Sequence, residues 1–175
     1  MKKVLVLLVA VLCLTMVSNA QQKGNMITAG AVIALPMGDF GDGFDMGFGA
    51  TATFEMPFGK QLVGFGEVGY ITWSGKVDGY STSAIPIMAG AKYFIDAKGG
   101  LYALGTAGFH MFTTKYEIFG VSGDASETEF ALGVGGGYEV NVSKTMLLDF
   151  SAKYMVVSDL NYLAIKAALK FPLGS

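Results

Sequence analysis

The stretch Phe130–Val142 reads FALGVGGGYEVNV. Phe130, Leu132, Val134, Tyr138, Val140 and Val142 fall at every second position, and Gly133, Gly135, Gly137 and Glu139 fall between them. Alternation with period two is the signature of a β-strand, yet glycine inside a strand weakens it. One face of this strand is therefore large and apolar, and the other has almost no side chain. Such a strand fits a fold in which the small face is crowded and the large face meets something oily.

The same alternation recurs along the chain from residue 25. It predicts strands near Asn25–Leu35, Gly47–Met56, Gln61–Trp73, Ala84–Ile95, Leu101–Thr114, Thr128–Val142, Thr145–Val157 and Tyr162–Phe171. Pro57–Lys60, Asp96–Gly99 and Asn141–Lys144 carry the residues of tight turns. Pro36–Met46, Ser74–Ser83 and Lys115–Glu127 read as longer loops, and Ser158–Asn161 as a short one. Connections that alternate between two ends describe an antiparallel up-and-down meander. No helical period interrupts it.

The first twenty residues, MKKVLVLLVAVLCLTMVSNA, pair two lysines with an apolar run and end on small residues. This is the layout of a secretory signal peptide cleaved after Ala20. Cleavage leaves residues 21–175 as one barrel domain, without Cys13, the single cysteine, and so without disulfide or thiol chemistry. That part has ten lysines, no arginine and fourteen acids. The missing arginine speaks against phosphate or nucleic-acid recognition, where its planar fork is favoured. The whole chain is 52% hydrophobic and only 15% charged, against about 25% charged in ordinary soluble domains. Past residue 20 no apolar run is long enough for a membrane helix.

An eight-stranded meander closes either as a soluble barrel with an apolar interior or as a membrane barrel with an apolar exterior. Volume decides between them. Eight strands enclose a space just wide enough for side chains to fill, and four or five large residues from each strand would overfill it. Gly, Ala, Thr and Ser fit a narrow lumen. The fold class is therefore all-β, an eight-stranded antiparallel up-and-down transmembrane β-barrel, with strands long enough to cross a bilayer obliquely. Trp73 and the tyrosines near strand ends suit an interfacial girdle.

Parity then assigns a lumen charge network of Glu55, Glu129, Glu139 and Asp149 against Lys92, Lys153, Lys166 and Lys170. Opposite charges in a low-dielectric lumen should pair, which makes a plug rather than a pore. Strand three conflicts with this scheme. If Glu67 faces inward, so do Val63, Phe65, Ile71 and Trp73, while Gly64, Gly66, Val68 and Tyr70 face lipid. A bulge that changes phase would resolve the conflict.

With these features the chain resembles the small outer-membrane β-barrel family of Gram-negative bacteria. It is similar in size and strand count to the OmpA transmembrane domain, OmpX and OmpW. The resemblance is carried by the signal peptide, ALPMGDFGDGFDMGFGATATFEM (Ala34–Met56), YALGTAGFH (Tyr102–His110), ALGVGGGYEV (Ala131–Val140) and IKAALKF (Ile165–Phe171). It implies the cell outer membrane as location, with outer-membrane lipid as surroundings and the barrel-assembly machinery engaged during insertion. It further implies a monomer, with no nucleic-acid partner and no cofactor. Many members end on an aromatic residue, whereas here Phe171 is followed by Pro172, Leu173, Gly174 and Ser175.

The expected role is structural or surface-interactive. The alternatives are a narrow channel or carrier for small apolar compounds, as the OmpW likeness suggests, a lipid-modifying enzyme, and a soluble ligand-binding barrel. Two sites bear on them. Asp39, Asp42 and Asp45 in GDFGDGFD offer three carboxylates to calcium, without the spacing of an EF-hand loop. His110, the single histidine, could act as a base toward Thr113 or Thr114, although nothing nearby resembles a nucleophile motif. No catalytic, cofactor or metal residue is assigned.

Overall fold

A computed structural model describes residues 24–173 apart from 78, 96–99, 119–120, 144 and 159. The expected signal peptide lies outside these residues. Eight strands follow one another: β1 (Met26–Pro36), β2 (Gly47–Pro57), β3 (Leu62–Ser74), β4 (Tyr80–Phe94), β5 (Leu101–Ile118), β6 (Val121–Asn141), β7 (Leu147–Val156) and β8 (Tyr162–Pro172). A short helix, α1 (Asp39–Gly43), lies between β1 and β2. Each strand pairs antiparallel with the next, and β8 closes on β1 from Met26↔Pro172 to Pro36↔Tyr162. Closure leaves no sheet edge around the wall, so backbone donors and acceptors are satisfied without water.

Side-chain parity sets what faces where. Along β1 Thr28, Val32 and Ala34 are buried while Ile27, Ala29 and Ile33 are exposed. On β7 Asp149 and Ser151 are buried and Phe150 is exposed. Val134, 66% exposed, stands on the outside of the opening stretch. The large apolar residues thus face outward and the small and ionic ones inward.

The glycines of that stretch have a specific reason. A Cβ at Gly137 would strike the Tyr102 hydroxyl, and one at Gly135 would strike the Ala152 carbonyl oxygen on β7. The lumen needs the space for a neighbour's ring at one position and for the adjoining backbone at the other. Gly136 lies within an unbroken ladder opposite Ala103 and Ala152.

The sequence expectations need three corrections. First, β3 contains no bulge: Val63↔Pro57 through Phe48↔Thr72 is one register, so Phe65, Glu67, Ile71 and Trp73 all point inward. The β3–β4 ladder does skip from Val68↔Ile87 to Ile71↔Ala84. Pro86 lies in that gap and has no N–H to give. Second, Trp73 is not an interfacial residue; it is 1% exposed inside the barrel. The outward-facing tyrosines are Tyr70, Tyr93, Tyr138 and Tyr154, all exposed. Third, Lys115–Glu127 is mostly strand, because β5 and β6 run on as a hairpin to Ile118↔Val121. Lys115, Tyr116 and Asp124–Thr128 are exposed on both faces, so the apolar period disappears from the sequence while the backbone pairing persists.

Candidate functional site

The lumen is filled in layers. Nearest the termini, Phe94, Tyr102 and Leu104 pack with Val63. Next comes a cluster of five charges. Lys92 on β4 places its ammonium 2.8 Å from Glu55, 2.6 Å from Asp149 and 3.2 Å from Glu139. Lys170 on β8 reaches Glu55 at 2.5 Å and Glu139 at 2.8 Å. The Tyr102 hydroxyl donates to Asp149 at 2.5 Å, and the Lys92 ammonium lies 4.5 Å from the centre of the Tyr102 ring.

The register explains why these groups meet. Glu139 and Asp149 are direct cross-strand partners on β6 and β7, a like-charge pair that is destabilising on its own. The two lysines offset it. Removing either lysine would leave buried carboxylates uncompensated, which is strongly destabilising.

A second group lies further along the axis. Glu67 on β3 accepts from Lys153 at 2.5 Å and Lys166 at 2.9 Å, and from the Thr53 hydroxyl at 3.2 Å. Of the acids expected in the network, Glu55, Glu139 and Asp149 come together with Lys92 and Lys170, while Lys153 and Lys166 lie against Glu67. Glu129 does not join them: it is half-buried at the loop end and accepts from Ser158 at 2.6 Å. Glu67 takes its place, so four acids face four lysines. The parity conflict in β3 was the signal that could have identified Glu67.

Beyond Glu67 a cavity of about 20 Å³ is bordered by Thr51, His110, Lys153 and Tyr162 among others. His110 is fully buried, and its Nε2 lies 2.6 Å from the Tyr162 hydroxyl. Thr113 bonds to Ser126 and Thr114 to Thr82, so neither candidate nucleophile is placed against the histidine. The loop end of the lumen is aromatic. Trp73 packs against Phe40 and Tyr162, each at 5.4 Å between ring centres, and against Phe112 at 6.4 Å. Its indole N–H donates to the Ala34 carbonyl at 3.2 Å. Phe40 comes from α1, which sets it into the mouth of the barrel.

Among the described residues, the acids close enough to share a metal ion are Glu55, Glu139 and Asp149, not Asp39, Asp42 and Asp45. The Lys92 ammonium already lies against all three, so the lysine supplies the cation there. Asp39 and Asp42 lie in the first turn of α1.

An oily outer wall around an ion-paired, filled lumen defines a transmembrane β-barrel of the outer-membrane class. The chain belongs to the outer membrane protein β-barrel domain family, whose profile matches residues 4–171, and it is an outer-membrane protein surrounded by outer-membrane lipid. Comparison with curated proteins found no match in sequence. Among solved structures it is similar to Ail, the attachment invasion locus protein of Yersinia pestis, with a TM-score of 0.66 and 17% identity, covering 87% of this chain and 100% of that one. It is similar to Neisserial surface protein A, with a TM-score of 0.62 and 18% identity, covering 86% and 98%. It is also similar to the N-terminal barrel of Pseudomonas aeruginosa OprF, with a TM-score of 0.54 and 12% identity, covering 87% and 100%. At these identities the likeness shows a shared fold.

Proposed function

We propose that the protein is a closed outer-membrane barrel that acts through its surface, with the lumen as a rigid filling and the β5–β6 hairpin as the element presented to partners. The observation that carries this reading is the lumen itself. Ion pairs fill it near the termini and a Trp73-centred aromatic group fills it near the loops, with a cavity of about 20 Å³ between them. That is room for roughly one water, too little for a solute path. The protein is not an enzyme in this reading, because His110 bonds to Tyr162 and not to a nucleophile.

In the same reading residues 1–20 are removed on export, the barrel-assembly machinery inserts the chain, and the barrel works as a monomer with its loops outward. A structure of Ail holds the heparin analogue sucrose octasulfate. A polyanion of that kind would meet Asp39, Asp42, Asp45, Asp124 and Glu127 at the loop end of this chain, so the surface favours other partners.

Two measurements test the reading. In planar bilayers the purified barrel is expected to give no discrete openings, and regular single-channel steps would favour the channel for small apolar compounds instead. Cells carrying the barrel are expected to adhere to protein-coated surfaces, and to lose adhesion when residues 113–126 are replaced by a tight turn. Unchanged adhesion, with heat-modifiable migration intact, would remove the hairpin from the function.

A further inference from the structure

At the border of the cavity of about 20 Å³ stand two buried polar atoms with no hydrogen-bond partner among the described residues, Thr51 Oγ1 and His110 Nδ1. His110 is 0% exposed and Thr51 8%, so bulk water does not satisfy them, and a buried polar group left unpaired is costly. The hydrogen on the imidazole can be placed. The buried Tyr162 hydroxyl meets His110 Nε2 at 2.6 Å and no other partner among the described residues. It donates there, because its single hydrogen would otherwise be stranded. Nε2 then accepts, and the ring hydrogen sits on Nδ1.

Lys153 and Lys166 border the same cavity, and each uses one of its three N–H groups on Glu67. The site is therefore rich in donors: Nδ1–H of His110, the Thr51 hydroxyl and the remaining N–H groups of two ammonium ions. Glu67 is the one acid at its border, and it already accepts from both lysines and from Thr53.

Charge points the same way. Four acids face four lysines in the lumen as a whole, but not locally. Toward the termini three carboxylates share two ammonium groups, whereas around Glu67 two ammonium groups share one carboxylate. No hydrogen bond joins the two groups among the described residues. The surplus carboxylate of the first group lies beside a cavity of about 40 Å³ that the exposed Lys60 borders. The surplus ammonium of the second lies between the terminal charge cluster and the aromatic group, where a buried charge is costly unless paired.

We propose that the cavity beside Glu67 is a binding site for one small monovalent anion, a halide in ordinary salt solutions, held by His110, Thr51, Lys153 and Lys166. The ion accepts from donors that have no other acceptor, through charge-assisted bonds, and it neutralises the local surplus. A cavity with room for roughly one water excludes phosphate and sulfate. It takes a halide because Met88 and Met155, which border it, are flexible enough to yield. The ion is part of the lumen filling, so the site stands whether or not the hairpin binds a partner.

The test uses the full barrel, refolded into detergent micelles in sodium bromide so that the ion can enter as the lumen closes. Crystals of that sample are expected to show an anomalous bromine peak within hydrogen-bond reach of Thr51 and His110. In solution, the urea midpoint of the unmodified barrel should rise as bromide replaces gluconate at constant ionic strength, and the rise should saturate as a single site fills. Thr51→Val keeps the volume and removes one donor, so it should need at least about tenfold more bromide for the same rise, the loss of one hydrogen bond to a charged group. Lys166→Met removes the surplus charge and should abolish the rise.

Density at the site without a bromine signal would make the occupant a water and overturn the proposal. So would equal midpoints in the two salts, or a rise that both variants keep in full, which would be a general salt effect. The bromine peak is read on the unmodified barrel, so a variant that fails to fold leaves the test standing. Single-channel steps would overturn the filled-lumen reading and not this site, whereas a missing bromine peak would remove the site and leave that reading intact.

Discussion

Near the termini the lumen is filled by Lys92, Lys170, Glu55, Glu139 and Asp149, whereas near the loops it is filled by Trp73, Phe112, Tyr162 and the Phe40 that α1 delivers from above. Both halves exclude solvent, but by different physics. The charged half works only when both lysines are present, because its carboxylates have given up their water to those two ammonium groups. The aromatic half works by volume and contact area, and any one of its rings could lose part of its contact without leaving a charge stranded. The difference shows that a narrow barrel can be sealed without a hydrophobic core along its whole length. It also gives the two halves distinguishable responses to substitution.

The largest effect is expected at Lys92. Lys92→Met removes the cation that three carboxylates share and should cost about 3–5 kcal/mol in urea unfolding from detergent micelles. Adding Glu55→Gln should return part of that loss, because one stranded charge is removed. Trp73→Ala comes next, at about 3–4 kcal/mol from lost contacts and the cavity left behind. No charge substitution in the terminal half should rescue it. A rescue of Trp73→Ala by Glu55→Gln, or the lack of any rescue for Lys92→Met, would mean the halves are not separate. A smaller loss is expected for Gly137→Ala. The added methyl would displace the Tyr102 hydroxyl that holds Asp149, at about 1–3 kcal/mol of overpacking.

Much of the wall was legible in the sequence, because a bilayer outside and a narrow lumen inside impose opposite requirements on alternate residues. Phe130 and Gly133 declare their faces by size alone. The charged half was legible for the same reason, since an ionic residue such as Lys92 or Asp149 cannot face acyl chains. The aromatic half was not. Trp73 suits an interface and a lumen equally well by composition, and only the register of β3 decides between them. Tyr162 shares the parity of Ala164 and Lys166, which points it inward, but a tyrosine at a strand end also fits a girdle. The β5–β6 hairpin was hidden because Asp124–Thr128 are exposed on both faces, so a stretch such as DASET shows no period to read.

Glu129 offers the smallest effect and the finest test of the comparison. It has the inward parity of Gly133 and Glu139 and was expected in the charge network on that ground. The structure leaves it half-buried at the loop end with Ser158 as its partner. A carboxylate that still reaches water loses little when it becomes an amide, so Glu129→Gln should change stability by less than about 0.5 kcal/mol. Parity therefore fixes a side chain's direction, while depth along the axis fixes what its charge costs. A loss of several kcal/mol in the same urea titration would show that Glu129 is bound into the lumen network after all. The charged region would then extend past the aromatic half, and the division of the lumen into two would no longer hold.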